Sequence, residues 1–236
     1  MGKKLSVAPT KSAKRGSISS KGGRRARGRY FALGIVVLAV FMRLFVLQGY
    51  RVPSRAMEDT LLLGDCLLVE KLSYGAFLPF SDSTHLPGIA KPEVGDVIVF
   101  RLPEEPDRVY VKRCLAVGGQ VVEIIDKVVY IDGVRLADPA FSKYIDARIF
   151  AADRSGRDNF GPVEVPIDSV FLVGDNRDNS RDSRDWGFVP IDALVGRAVC
   201  VYWSVSLRED GVDSWIDSVL TLAERVRWQR LGEWVR

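Results

Sequence analysis

Three neighbouring segments decide the fold: Gly95-Asp96-Val97-Ile98-Val99-Phe100, then Val109-Tyr110-Val111-Lys112-Arg113-Cys114-Leu115-Ala116-Val117, then Val121-Val122-Glu123-Ile124-Ile125-Asp126-Lys127-Val128-Val129-Tyr130-Ile131. Each is a short apolar run rich in Val, Ile and Tyr, bracketed by turn residues, which is the pattern of strands. Asp132-Gly133 predicts a hairpin turn between 128–131 and 134–136, since both residues tolerate the positive φ of a two-residue loop. Working outward, 61–69 reads as a strand on one side, and 170–173 and 195–203 as strands on the other. No βαβ spacing appears, so a Rossmann-type sheet is disfavoured and a mainly β body of antiparallel sheets is expected. Gly118-Gly119 follows a strand but lacks the dinucleotide fingerprint and the phosphate-loop lysine, so no nucleotide site is implied. Residues 76–93 and 137–162 read as excursions from the sheet, the second as a small lobe or rim.

Upstream, residues 1–29 hold ten Lys and Arg and no acid, with little apolar area to offset chain entropy, and are expected to be a disordered basic arm. The stretch 30–47 is apolar apart from Arg43, about 27 Å of helix against a hydrocarbon core of about 30 Å. A transmembrane anchor over 30–48 follows, with Arg43 reaching the headgroups from the end of the span. The basic arm predicts a cytoplasmic N-terminus and sends the rest across. The net charge of +4 thus divides into +10 over residues 1–29 and −6 over the remainder. A nucleic-acid tail, and a cleaved secretory signal ending at Ser54-Arg55-Ala56, are the weaker readings. The apolar run is long for such a signal, and that cut lies some nine residues beyond it.

The residues after the anchor, 49–212, suffice for one substantial core. From 213 to 236, Trp215, Ile216, Val219, Leu222, Val226 and Leu231 recur at roughly helical spacing, predicting an amphipathic helix on lipid or on the β body. Cys66, Cys114 and Cys200 are odd in number and widely spaced, which fits neither a disulfide framework nor a metal site. The one histidine, His85, sits in a Ser/Thr/Pro/Gly-rich loop, so a His-dependent triad is not expected.

Three separated motifs carry chemistry: Val52-Pro53-Ser54-Arg55-Ala56-Met57-Glu58-Asp59-Thr60-Leu61, Tyr110-Val111-Lys112-Arg113, and Gly174-Asp175-Asn176-Arg177-Asp178-Asn179-Ser180-Arg181-Asp182-Ser183-Arg184. In this order they resemble the bacterial type I signal peptidases, membrane serine endopeptidases with a Ser/Lys dyad. The resemblance covers roughly 30–203 and implies that family's β fold. By position it places the nucleophilic serine on Ala56, the general base on Lys112, the serine that orients the lysine on Ser180, and an oxyanion-stabilising hydroxyl on Ser54. Met57 matches the residue packed beside the nucleophile and substrate; Asp175, Asp182 and Arg184 match positions with mainly structural roles. Asp59 stands where the family commonly has proline.

The residue types suit each other chemically. A serine attacks a peptide carbonyl when a base takes its proton, and a desolvated lysine can be that base near neutral pH. Ala56 has no oxygen with which to form an acyl-enzyme, so the chain as it stands is expected to be inactive. Ser54 is a poor substitute, since two residues along an extended segment displace the reacting atom by about 6–7 Å. Because Lys112, Ser180 and the whole late motif are spared, a deliberate serine-to-alanine exchange is the expected origin, with a natural noncatalytic preprotein-binding pseudoenzyme as the alternative.

The resemblance further implies exported preproteins with signal peptides as partners, transient proximity to the secretion translocon, contact with membrane lipid, and no nucleic acid. It implies a single-pass protein of the bacterial cytoplasmic membrane, its catalytic domain outside the cytoplasm, needing no cofactor or metal. A self-cleaving Ser/Lys regulator shares the chemistry, but no helix-turn-helix pattern is present.

Overall fold

A computed structural model describes residues 21–75, 88–206 and 225–235. Of the expected basic arm, residues 1–20 lie outside the described residues, as do His85 and the stretch 207–224 of the C-terminal region. Residues 21–29 are not irregular: helix α1 runs over Lys21–Phe41. A π-helical turn, Met42–Val46, follows, and the chain then passes directly into strand β1, Leu47–Arg51. The apolar window 29–46 is long enough to cross a membrane, and Tyr30, Phe31, Leu33 and Val37 on it are exposed. Arg43 lies in the π turn, also exposed, near the end of that window as expected.

The β body consists of two antiparallel sheets. The larger takes the order β1, β2 (Asp65–Glu70), β11 (Leu194–Ser204), β3 (Val97–Leu102), β4 (Glu105–Val117), β9 (Ser169–Val173), β10 (Val189–Pro190). The smaller takes the order β7 (Val134–Arg135), β6 (Val128–Ile131), β5 (Val121–Ile125), β8 (Phe160–Glu164). Both faces of the larger sheet are covered. Along β3, Val97 and Val99 enter one cluster with Met57, Leu61, Leu67 and Val111, while Ile98 and Phe100 enter another with Cys114, Leu172 and Leu194. Period-two alternation then places apolar side chains on both sides, which is why β3 reads as a continuous apolar run. A third cluster, including Leu115, Val122, Ile124, Val129 and Phe171, joins the small sheet to β4 and β9.

The Asp132-Gly133 hairpin forms as expected, with φ of 53° and 77°. The reading of 121–131 as one continued strand pattern resolves into β5 and β6 around a second two-residue turn, Asp126-Lys127, with φ of 49° and 71°. Lysine in the left-handed region is an unusual turn residue, so sequence carries little signal there. Its amine is anchored instead, donating to Asp178 Oδ1 at 2.8 Å and the Asp146 carbonyl at 2.6 Å. The expected strand at 61–69 starts only at Asp65, whose carboxylate accepts the Leu62 N–H and turns the chain just before it.

Arg225 is helical, but residues 226–235 do not continue the amphipathic helix expected over 213–236. They carry one 3-10 turn, Trp228–Arg230, and two isolated bridges, Val205 to Val226 and Cys200 to Trp234. The reason lies in β11: β3 pairs with it only as far as Arg197, leaving the far half of that edge open. The terminal segment fills it, with Gly232 N–H donating to the Val201 carbonyl (2.8 Å) and Val235 N–H to the Val199 carbonyl (2.9 Å). Pairing these groups outweighs helical periodicity.

Candidate active site

Lys112 stands on β4 opposite Ile98 of β3, on the face that also carries Phe100, Tyr110 and Cys114. It is 2% exposed, and its Nζ donates to Ser180 Oγ at 2.7 Å. Burial pushes the amine down to about 8, against the pull of the nearby Asp182 carboxylate. A substantial neutral fraction is therefore present in mildly alkaline solution, which an exposed lysine does not offer.

Ala56 lies in the 3-10 turn Arg55–Met57 and is buried. Its carbonyl accepts the Asn176 N–H at 3.0 Å. Gly174 sits between the parts: a Cβ there would collide with Ser180 Oγ on one side and the Ala56 carbonyl on the other. Position 56 and the Lys112–Ser180 pair thus converge on one glycine with no room for a side chain. Ser54 precedes the turn in extended backbone and is exposed, and its hydroxyl makes no capping bond. Met57 points away into the core and is 1% exposed, and its Sδ accepts the Asp175 N–H at 3.4 Å.

Two buried ion pairs hold this frame. Arg113 donates Nε and Nη2 to Asp175 at 2.8 and 2.7 Å, and Thr60 Oγ1 donates to the same carboxylate at 2.5 Å. Asp182 caps the short helix α2, Ser183–Trp186, in a capping box with Asp185, and accepts the Gly174 N–H at 3.1 Å. Arg184 pairs with Asp182 and donates to the carbonyls of Arg157 and Arg177 at 2.8 and 2.7 Å. Burial works to raise the Asp182 carboxyl, but the Arg184 charge and hydrogen bond, helped by Lys112, hold it below the usual carboxylate range.

Asn176 had no assigned role in sequence, although it lies inside the late motif. Its buried Oδ1 has no donor among the described residues, and it donates Nδ2 to the Arg55 carbonyl and to Glu58 Oε2. Lys143, from the 137–162 excursion, bridges Glu58 and Asp59 at 3.5 and 3.4 Å, and its backbone pairs with Asp175 and Arg177. That excursion is therefore the outer brace of the segment around position 56. Asp59 adopts φ 78°, which a proline ring forbids. Asp59→Pro should consequently lower stability by more than about 1 kcal/mol, whereas Asp59→Gly should not, as thermal denaturation will show.

A mainly β body in which a buried lysine meets a serine, following an apolar N-terminal helix in the sequence, is the architecture of a membrane-bound serine peptidase. Comparison with known proteins agrees and narrows it. The family model described as "Signal peptidase, peptidase S26" matches residues 26–203. Signal peptidase I of Pseudomonas fluorescens is 32% identical over 198 residues, covering 72% of this chain and 69% of its own length. The probable signal peptidase I-1 of Synechocystis sp. is 36% identical over 178 residues, covering 72% and 79%, and signal peptidase I of Aquifex aeolicus is 29% identical over 233 residues, covering 75% and 84%. The chain belongs to the signal peptidase family, peptidase S26.

Proposed function

We propose that this chain binds exported preproteins at the boundary of the signal peptide, and that its scaffold cleaves them by a Ser/Lys dyad when a serine occupies position 56. The observation that carries this reading is the 2.7 Å contact between Nζ of the buried Lys112 and Oγ of the half-buried Ser180, abutting the Ala56 turn through Gly174. In that mechanism the neutral Lys112 amine takes the proton from a hydroxyl at position 56, whose oxygen attacks the scissile carbonyl. Ser180 holds the amine in place. The Ser54 hydroxyl and backbone N–H groups near position 56 stabilise the oxyanion, the lysine returns the proton to the leaving amine, and water then hydrolyses the acyl-enzyme. The chemistry uses no metal or organic cofactor. With alanine at 56 the first bond cannot form, so binding proceeds without turnover.

The helix over the 29–46 window tethers the site in the bacterial cytoplasmic membrane, N-terminus inside and β body outside, in contact with lipid and near the translocon as preproteins emerge. Tethering raises the local concentration of a cleavage site that itself stays close to the bilayer. A deliberate serine-to-alanine exchange leaves this pattern of one missing oxygen in an intact frame. A natural preprotein-binding pseudoenzyme is favoured by one observation, the left-handed Asp59 where the family commonly has proline, which marks a second departure in the same segment.

The binding claim is tested on the chain as it stands. Reconstituted in vesicles, it should retain a fluorescent preprotein, and a signal peptide with its cleavage site should compete. Retention unaffected by that peptide, or none at all, contradicts the reading.

A further inference from the structure

The C-terminal segment reaches the candidate site by a route that the motifs do not include. Arg230, in the 3-10 turn Trp228–Arg230, donates Nη2 to the Thr60 carbonyl at 2.9 Å. The same guanidinium donates Nε and Nη2 to Asp65 Oδ2 at 3.1 and 2.9 Å. Asp65 is fully buried, and its Oδ1 accepts from Ser204 Oγ at 2.6 Å. Thr60 is therefore gripped twice, its carbonyl by Arg230 and its hydroxyl by Asp175. Between Thr60 and position 56 there is little slack: the Leu61 N–H donates to the Met57 carbonyl at 2.6 Å, and the Glu58 N–H to the Arg55 carbonyl at 3.1 Å.

We infer that Arg230 is a positioning residue for the reaction, setting the height of the 55–60 segment against Lys112 and Ser180 by holding the Thr60 carbonyl. The inference deepens the reading of position 56 as the nucleophile site and rests on it. Arg230 touches no reacting atom; its direct hold on the segment is the Thr60 carbonyl, beside the Asp65 carboxylate that also accepts the Leu62 N–H. A guanidinium is required because one group must serve a buried carboxylate and a backbone carbonyl at once, which its planar fork of donors does and an ammonium does poorly. Arg227 supplies an internal comparison. It grips the same region but one step further from the site, donating to the Leu63 carbonyl at 3.3 Å and to Asp65 Oδ1 at 3.4 Å.

The experiment has two arms. In the Ala56→Ser background, Arg230→Ala should lower kcat for preprotein cleavage about tenfold or more while KM moves less than about twofold, because a misplaced nucleophile loses near-attack geometry and not substrate binding. Arg230→Lys should recover part of that loss, and Arg227→Ala should lower kcat by less than about threefold. In the Ala56 chain, with no turnover required, Arg230→Ala should speed amide exchange over residues 56–62 about tenfold while the amides of β4 keep their rates. If Ala56→Ser is itself inactive, the nucleophile reading fails and the exchange arm still decides whether Arg230 holds the segment. Unchanged exchange at 56–62 overturns the inference. So does a fall in kcat that is equal for Arg227→Ala and Arg230→Ala and tracks melting temperature, which would make both residues general stabilisers.

Discussion

Ala56→Ser should raise preprotein cleavage on the order of 10⁵-fold over the chain as it stands, since loss of a nucleophile from such a constellation removes nearly all catalysis beyond binding and oxyanion stabilisation. The gain depends on Lys112 being neutral. With its amine pushed down to about 8, the rate should climb about tenfold per pH unit below that value and level off above it. The sign follows from the role: the base acts deprotonated, so acid suppresses the reaction. Lys112→Ala in the serine background should abolish both the rate and the alkaline limb. Ser180→Ala should leave a folded chain whose profile shifts and whose kcat falls, because the 2.7 Å partner of the amine is gone. A pH-independent rate would mean that some other group takes the proton.

The second large effect is on stability. Arg113 and Asp175 are 3% and 1% exposed, and the carboxylate accepts two guanidinium hydrogen bonds together with the Thr60 hydroxyl. Asp175→Ala takes away the carboxylate that receives two of the buried Arg113 guanidinium's hydrogen bonds, so it should cost about 3–5 kcal/mol. For a body of this size that lowers the melting temperature by roughly 10 °C. Asp175→Leu combined with Arg113→Met should recover part of the loss, since the desolvation penalty then disappears with both charges. A drop of less than about 1 kcal/mol for Asp175→Ala would show that water or a neighbouring group compensates the arginine. Activity should fall too in the serine background, because Asp175 also anchors Thr60 in the segment that holds position 56.

Much of the fold was legible from local pattern. The strands β3, β4, β9 and β11 and the Asp132-Gly133 turn follow from apolar runs and turn residues that act within a few positions of each other. What escaped depends on partners distant in the chain. The Asp126-Lys127 turn is secured by Asp178, and residues 226–235 pair with β11 where helical spacing was expected to continue. Strand β1 continues straight from the π turn, where an apolar run meant for a membrane masks where the strand begins. In the candidate site, motif order pointed to Lys112, Ser180 and position 56, and the structure sets them around Gly174. Asn176 lay within a recognisable motif, so its bonds to Arg55 and Glu58 had a sequence signal without a stated role. Arg230 had none: its contact with Thr60 spans 170 positions and comes from a region that reads as an amphipathic surface.

The most direct measurement of the central claim is the mass of the fragments formed when a preprotein is incubated with vesicles holding the Ala56 chain, its Ala56→Ser form, and the Ala56→Ser form that also carries Lys112→Ala. The account predicts one cut at the end of the signal peptide, made by the Ala56→Ser form alone. Cleavage that persists without Lys112, or no cleavage by a folded Ala56→Ser chain that binds the preprotein, would contradict it.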